Sequence, residues 1–175
     1  IGEENSETWP IADILAFNLT DNNNNWLPRN LTKMSSPRYA GSCVLVNDSI
    51  YYFGGNNGTD VIDSIERYDI LNDKWITLNT TLKMKRTGHR NVYIPPPINA
   101  ILIIGGVVDV LQSVSSVEYF DLDKETIIDE YASDMNEKRA GVGAIAWNNG
   151  TIFVFGGTPD GNEVRNTYEI GRVMP

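Results

Sequence analysis

Short apolar runs alternate with polar turns along this chain, and one of these runs occurs three times. Each copy is a mainly apolar stretch that ends in two glycines: Ser49 to Gly55, Ala100 to Gly106 and Thr151 to Gly157. The glycine pairs begin at residues 54, 105 and 156, so the spacing is 51 residues both times. Self-similarity at a fixed period of this size indicates repeated structural units. The sequence therefore predicts three equivalent units around these pairs.

Other residues keep the same period. A strand containing aromatic residues and an acid follows two of the glycine pairs, at Ser64 to Asp69 and at Ser116 to Asp121. A Met, an Arg and a Gly recur in that order upstream of each pair: Met34/Arg38/Gly41, Met84/Arg86/Gly88 and Met135/Arg139/Gly141. The repeat therefore extends over whole units.

Each unit is predicted to contain four short strands. In the first full unit these are Ala40 to Val46, Ser49 to Phe53, Ile62 to Tyr68 and Trp75 to Leu78. Asn and Asp residues between the apolar runs favour tight turns. Sustained helical periodicity is not found in any segment, so we expect an all-β protein.

The pattern resembles the kelch repeat. Its marks are a glycine pair after a short apolar strand and a Tyr and a Trp about seven residues apart, as at Tyr68 and Trp75, with a period near 50 residues. The resemblance extends from about Ile11 to Ile170. It implies a kelch-type β-propeller, in which four-stranded blades stack around an axis and aromatic side chains fill the space between them.

The chain holds about three and a half predicted units. Residues 1–10 form an N-terminal extension, 11–33 the third and fourth strands of a preceding blade, 34–83 and 84–134 two kelch blades, and 135–175 a partial blade. Propellers close with roughly four to eight blades. We therefore expect that further chain or another subunit completes the ring.

Composition excludes several functions. With 23 acidic and 14 basic residues the net charge is -9, which disfavours a nucleic-acid partner. The apolar runs are too short to span a membrane. Cys43 and His89 are the single cysteine and histidine, so an intrachain disulfide and a Cys/His metal cluster are both excluded.

The sequence offers no argument for catalysis. Acid pairs such as Asp121/Asp123 fall in predicted turns. The copper oxidases among kelch proteins need two histidines, so the resemblance does not extend to that activity. We therefore predict no catalytic residue, no metal site, no cofactor and no enzymatic activity.

The repeated arginines are the candidate partner-binding residues. The resemblance to kelch adaptors implies that Arg38, Arg86 and Arg139 line one end of the ring and grip an acidic peptide segment, with Tyr39 and His89 beside them. Alternatively, each arginine caps neighbouring carbonyls or pairs with a local acid. The resemblance also implies that the loops before the first strands and those after the glycine pairs lie at opposite ends of the ring.

The loops after the glycine pairs are a second candidate binding surface. They are Asn56 to Asp60, Val107 to Gln112 and Thr158 to Val164, and we expect them to cluster. The middle loop is unusually apolar. It either packs against a neighbouring blade or belongs to a contact patch, and the sequence leaves both open.

Six Asn-x-Ser/Thr sequons are candidate glycosylation sites: Asn18, Asn30, Asn47, Asn57, Asn79 and Asn149. They favour an extracellular or cell-surface location, with a cytoplasmic one as the alternative. The prediction from sequence is a non-catalytic protein–protein interaction module. The alternatives are a structural propeller in a secreted or surface glycoprotein assembly, and the non-catalytic part of a carbohydrate-active kelch enzyme.

Overall fold

The computed structural model describes residues 12, 16–17, 26–27, 31–109, 112–128, 133–147 and 150–173, and all regular elements within these ranges are β-strands. The predicted all-β class is therefore confirmed. A hairpin of β1 (Ala16–Phe17) and β2 (Trp26–Leu27) comes first. The predicted N-terminal extension at residues 1–10 lies outside the described residues.

Two four-stranded antiparallel sheets follow, and we call them the first and second blades. The first blade has the strand order β3 (Ser42–Val46), β4 (Ser49–Phe53), β5 (Ser64–Asp69) and β6 (Lys74–Thr81). The second blade contains β7 (Arg90–Ile94), β8 (Ala100–Ile104), β11 (Val117–Asp121) and β12 (Thr126–Ile128), with the hairpin of β9 (Val107–Asp109) and β10 (Gln112–Ser113) between β8 and β11.

The third blade has three described strands, β13 (Gly143–Trp147), β14 (Thr151–Phe155) and β15 (Tyr168–Arg172). The blades stack in sequence order, because β3 contacts β7 and β7 contacts β13. The first strands thus adjoin one another, as expected of blades around an axis.

Alternation along the second strands puts apolar side chains on both faces of a blade. In β8, Ile101 and Ile103 pack toward the first blade, against Phe53 and Ile65. The intervening Leu102 packs with Ile152 of the third blade. A strand buried on both faces must be apolar throughout, which explains the continuous runs before the glycine pairs.

Two details of the sequence analysis are wrong for the second blade. The segment that begins at Val107 pairs as the short β9–β10 hairpin instead of forming a simple loop. The counterpart of Met34 and Met135 in the second blade is Leu82, because the N–H of Leu82 bonds to the carbonyl of Asp63 as that of Met135 bonds to Ser115. Met84 is 38% exposed.

Candidate functional site

The loops before the first strands and the loops after the glycine pairs meet at the same end of the blades. Backbone pairing joins them in each blade: Tyr39 with Asn56, Thr87 with Val107 and Ala140 with Thr158. The expectation that they lie at opposite ends is therefore wrong, since an antiparallel meander returns the chain to this end after its second and fourth strands. We call residues 34–41, 82–89 and 135–142 the arginine loops.

Each repeated arginine lies inside its own blade. The Nη1 group of Arg38 donates to the carbonyls of Gly54 (3.3 Å) and Ser64 (3.2 Å), and its Nη2 group pairs with Glu66. Arg86 makes the same contacts with Gly105 and Ser116. The guanidinium therefore joins the end of the second strand to the start of the third.

A glutamate on the third strand completes each network: Glu66 for Arg38, Glu118 for Arg86 and Glu169 for Arg139. The carboxylate also accepts hydrogen bonds from the arginine loop: the N–H of Lys83 donates to Glu118 at 2.8 Å. Sequence analysis did not single out these glutamates. The signal was present, because a Glu stands two residues after Ser64 and Ser116 in the aligned strands.

Burial sets the electrostatics of this network. Arg38, Arg86 and Arg139 are 5%, 0% and 1% exposed. Burial lowers the pKa of Arg86, and the charge of Glu118 opposes that shift. Burial alone would raise the pKa of Glu169, but hydrogen bonds from Asn136 and Arg139 lower it. These contacts match the alternative in which each arginine caps neighbouring carbonyls and pairs with a local acid. They leave the arginine side chains almost no surface for a partner.

His89 is also buried, at the junction of the first two blades. Its side chain is 6% exposed, and neither ring nitrogen has a hydrogen bond of normal geometry among the described residues. Burial lowers its pKa from 6.5 to about 3, the charge of Arg86 acts in the same direction, and the carbonyl of Phe53 opposes both. The imidazole is therefore neutral at physiological pH and is not displayed at the surface.

A groove lies beside these buried groups, between the first and second blades. Its volume is about 420 Å³. Val61, Val107 and Val108 give it an apolar portion, and the other lining residues are polar or charged: Asn56, Thr59, Asp60, Lys85 and Thr87. The apolar Val107 segment and the Asn56–Asp60 loop thus face one groove. This end of the blades is the candidate functional site.

Hydrogen bonds from the backbone to two asparagine side chains stabilise the turn at the rim of the groove. The Oδ1 atom of Asn57 accepts from the N–H groups of Thr59 (2.9 Å) and Asp60 (2.8 Å). The Oδ1 atom of Asn56 accepts from Gly58 at 2.7 Å. Local side-chain caps of this kind fix a loop without using its outer surface. The backbone of the rim is therefore fixed by local hydrogen bonds, while residues 57–60 remain exposed.

Three of the sequons can be placed. Asn47, Asn57 and Asn79 are all exposed, on the β3–β4 turn, on the groove rim and on β6. Asn18, Asn30 and Asn149 lie outside the described residues. Glycosylation at any of the six stays a prediction.

The described residues contain no cluster of three or more His, Cys, Asp or Glu side chains that could hold a metal ion. In the same part of the chain, no helix has the length and apolar character needed to cross a membrane.

Comparison with known families gives a match along most of the chain. Residues 2–170 match the model of the family described as Attractin/LZTR1 beta-propeller. The chain belongs to this family. Blades with paired glycines and buried arginine side chains are thus the blades of a kelch-type propeller, and the fold predicted from sequence is confirmed.

Curated relatives agree. Kelch-like protein 15 of Homo sapiens and of Mus musculus is 30% identical over 159 residues, which is 83% of this chain and 25% of the relative. The Rho GTPase-activating protein gacHH of Dictyostelium discoideum is 32% identical over 76 residues, or 42% of this chain and 5% of the relative. The propeller chain thus spans a quarter or less of these relatives.

Proposed function

We propose that this propeller is a non-catalytic protein-interaction module that binds its partner in the groove between the first and second blades. The observation that supports this is the meeting of two different loops at one groove with an apolar portion and a polar rim. Protein interfaces combine these features, with apolar contacts at the centre and polar groups around them. Kelch-like relatives are consistent with protein partners.

The charges around the groove suggest the kind of segment that it binds. Lys85 is exposed on one side and Asp60 on the other. A partner with an acidic group near Lys85 and an apolar side chain on Val108 fits this lining. The proposal keeps the acidic peptide expected from sequence and assigns its contact to Lys85, since Arg38, Arg86 and Arg139 are buried. Tyr39, which is partly exposed beside Asn56, is a further contact candidate.

A second candidate function is that of a propeller in a glycosylated extracellular or cell-surface assembly. The observation that favours it is the exposure of all three described sequon asparagines. One of them, Asn57, lies on the groove rim, so a glycan there would compete with a partner for the groove.

Site-specific photocrosslinking tests the first function. A photoreactive amino acid replaces Thr59 on the rim in one protein and Leu71 in another. Leu71 is 75% exposed and lies on the turn after β5, at the opposite end of the blades. After exposure to cell extract, we expect one discrete adduct from position 59 that is missing from position 71.

Lys85→Glu provides the matched variant for this experiment. Reversal of the charge is expected to lower the yield of the position-59 adduct roughly tenfold, in line with the loss of one interfacial ionic contact. Equal adducts at both positions, or an adduct insensitive to Lys85→Glu, would count against the groove as the binding site.

A further inference from the structure

The third strands of the three blades differ at one equivalent position. In each blade the N–H of the first paired glycine bonds to one carbonyl of the third strand, which belongs to Ser64, Ser116 or Thr167. Four positions later, the three strands carry Tyr68, Phe120 and Gly171. The register agrees, because each of these residues pairs with an isoleucine of the second strand. The third blade therefore lacks the aromatic ring that the other two blades have here.

The ring of Phe120 shows what this position does between two blades. Phe120 is 0% exposed. Its ring centroid lies 5.4 Å from that of Phe53 and 5.9 Å from that of Tyr51, both on β4 of the first blade. The aromatic ring of the third strand thus fills the space over the second strand of the blade before it.

The equivalent space between the second and third blades holds a pocket of about 330 Å³. Leu102 and Ile104 on β8 line it, and they are the counterparts of Tyr51 and Phe53 on β4. Gly171 lies on the opposite wall, where an added Cβ would have no heavy atom of the described residues within 4 Å. The pocket is therefore the place of the missing ring.

The lining of this pocket is apolar inside and polar at its mouth. Ile152 and Val154 of β14 join Leu102 and Ile104, and each of the four is at most 4% exposed. The exposed polar residues of the lining include Ser133, Asp134 and Asn136. Sites for small molecules combine an apolar interior with a few polar groups in this way.

We propose that this pocket binds a small aromatic molecule of one or two rings, which takes the place that Phe120 fills in the second blade. An engineered apolar cavity of roughly 150 Å³ holds benzene, so the larger pocket has room for two rings and a polar substituent at the mouth. Because the whole molecule fits, we commit to a free ligand rather than to an aromatic side chain of a partner protein. The proposal does not depend on the groove, which lies between the first and second blades.

Titration with indole, followed by NMR of methionine methyl groups, tests the proposal. Met135 lines the pocket, so the ring current of bound indole should shift its Cε methyl resonance. We expect a saturable shift with half-saturation on the order of 1 mM, in keeping with a ligand of this size. Met84 does not line the pocket and is 38% exposed, so its methyl is the internal control and should not shift.

Gly171→Phe is the variant that fills the pocket. It supplies the ring found at Phe120 and should weaken indole binding at least about tenfold, because a close-packed interior leaves no space for a second ring. Gly143→Phe is the matched control. It adds the same ring to another glycine of the third blade with no heavy atom within 4 Å of its Cβ, but on the opposite face, so the Met135 titration should be unchanged.

Gly171→Val adds a smaller side chain that suits a strand, and it should weaken indole binding in the same direction even if Gly171→Phe does not fold. Three results would overturn the proposal. One is the lack of a saturable Met135 shift, or an equal shift of Met84. Another is undiminished binding in the folded Gly171 variants. The third is tighter binding of N-acetyltryptophanamide than of indole, which would identify a side chain of a polypeptide as the occupant.

Discussion

The N–H of Gly88 donates a hydrogen bond of 2.7 Å to the carbonyl of Ala40, across the boundary between the first two blades. The next blade repeats the bond, from Gly141 to Gly88 at 2.8 Å. All three residues have left-handed backbones, with φ of 52°, 63° and 65°. The series requires this conformation at each blade, and Ala40 is its one member that carries a side chain.

Replacement of Ala40 by glycine is therefore expected to stabilise the protein. A left-handed alanine costs roughly 1 kcal/mol, and the extra freedom of glycine in the unfolded chain offsets part of the gain. The net increase in the free energy of unfolding should be about 0.5 kcal/mol in urea titrations. Gly88→Ala is the reverse control: its Cβ would have 3.8 Å of clearance, so no steric clash is added, and backbone strain less the same entropy term should lower the free energy of unfolding by about 0.5 kcal/mol. A neutral Gly88→Ala would contradict this account.

Glu118→Gln should destabilise the second blade strongly. The change keeps the shape of the side chain but leaves Arg86, which is 0% exposed, without its counter-charge. Uncompensated buried charges cost roughly 3–5 kcal/mol. Glu125→Gln is the matched control, because the Arg67–Glu125 pair has side chains 28% and 36% exposed and is worth less than about 1 kcal/mol. Similar losses for both variants in urea unfolding would show that burial of the pair is not decisive.

The stability of the chain should fall in acid because of His89. Its pKa is lowered to about 3 in the folded protein, against 6.5 in the unfolded chain, so the folded state resists protonation. The stability that depends on neutral His89 is therefore complete above pH 6.5 and declines as the pH falls from there toward 3. Since His89 is the single histidine, NMR titration of its ring protons reads this pKa directly.

His89→Val separates this effect from the titration of carboxylates. Val142 occupies the corresponding place in the third blade, so the substituted side chain suits the position. Between pH 7 and pH 4.5 the free energy of unfolding should fall by about 2 kcal/mol more in the wild type than in the variant. If the free energy of unfolding fell equally with pH in both proteins, His89 would be protonated as readily in the folded state as in the unfolded chain.

Glycosylation at Asn57 can be separated from its structural role. Asn57→Asp removes the sequon but keeps the Oδ1 atom that accepts from Thr59 and Asp60. After expression through a secretory pathway, glycopeptide mass spectrometry should show one glycan fewer on the variant than on the wild type. The free energies of unfolding of the two proteins should agree within about 0.5 kcal/mol. An unglycosylated wild-type Asn57 would remove this site from the six candidates.

The sequence predicted the blades well because glycine pairs and apolar runs reflect backbone constraints. A Cβ at Gly54 would overlap a neighbouring carbonyl, so the residue type itself records the close approach. The continuous run before Gly105 likewise records burial on both faces of β8.

The site was harder to predict, because an arginine has the same identity in a buried network and on a surface. Arg86 suggested a binding residue until its partner Glu118, 32 positions away, was placed beside it. The groove was predicted in part, because the loops at Asn56–Asp60 and Val107 were expected to cluster; the contribution of Lys85 and Thr87 from the arginine loop was missed. Pairing Glu118 with Arg86 would have required the knowledge that the third strand of a blade lies beside the loop that precedes its first strand.

Arg86 and Arg139 each bond to two sheets at once: the side chain bonds within its own blade, while the backbone carbonyl accepts from Gly55 or Gly106 of the blade before. A duplicated or deleted unit of 51 residues would carry both halves of that contact with it and rebuild the boundary unaltered. Copy number can thus change during evolution in whole steps, without new compensating substitutions at the points of insertion.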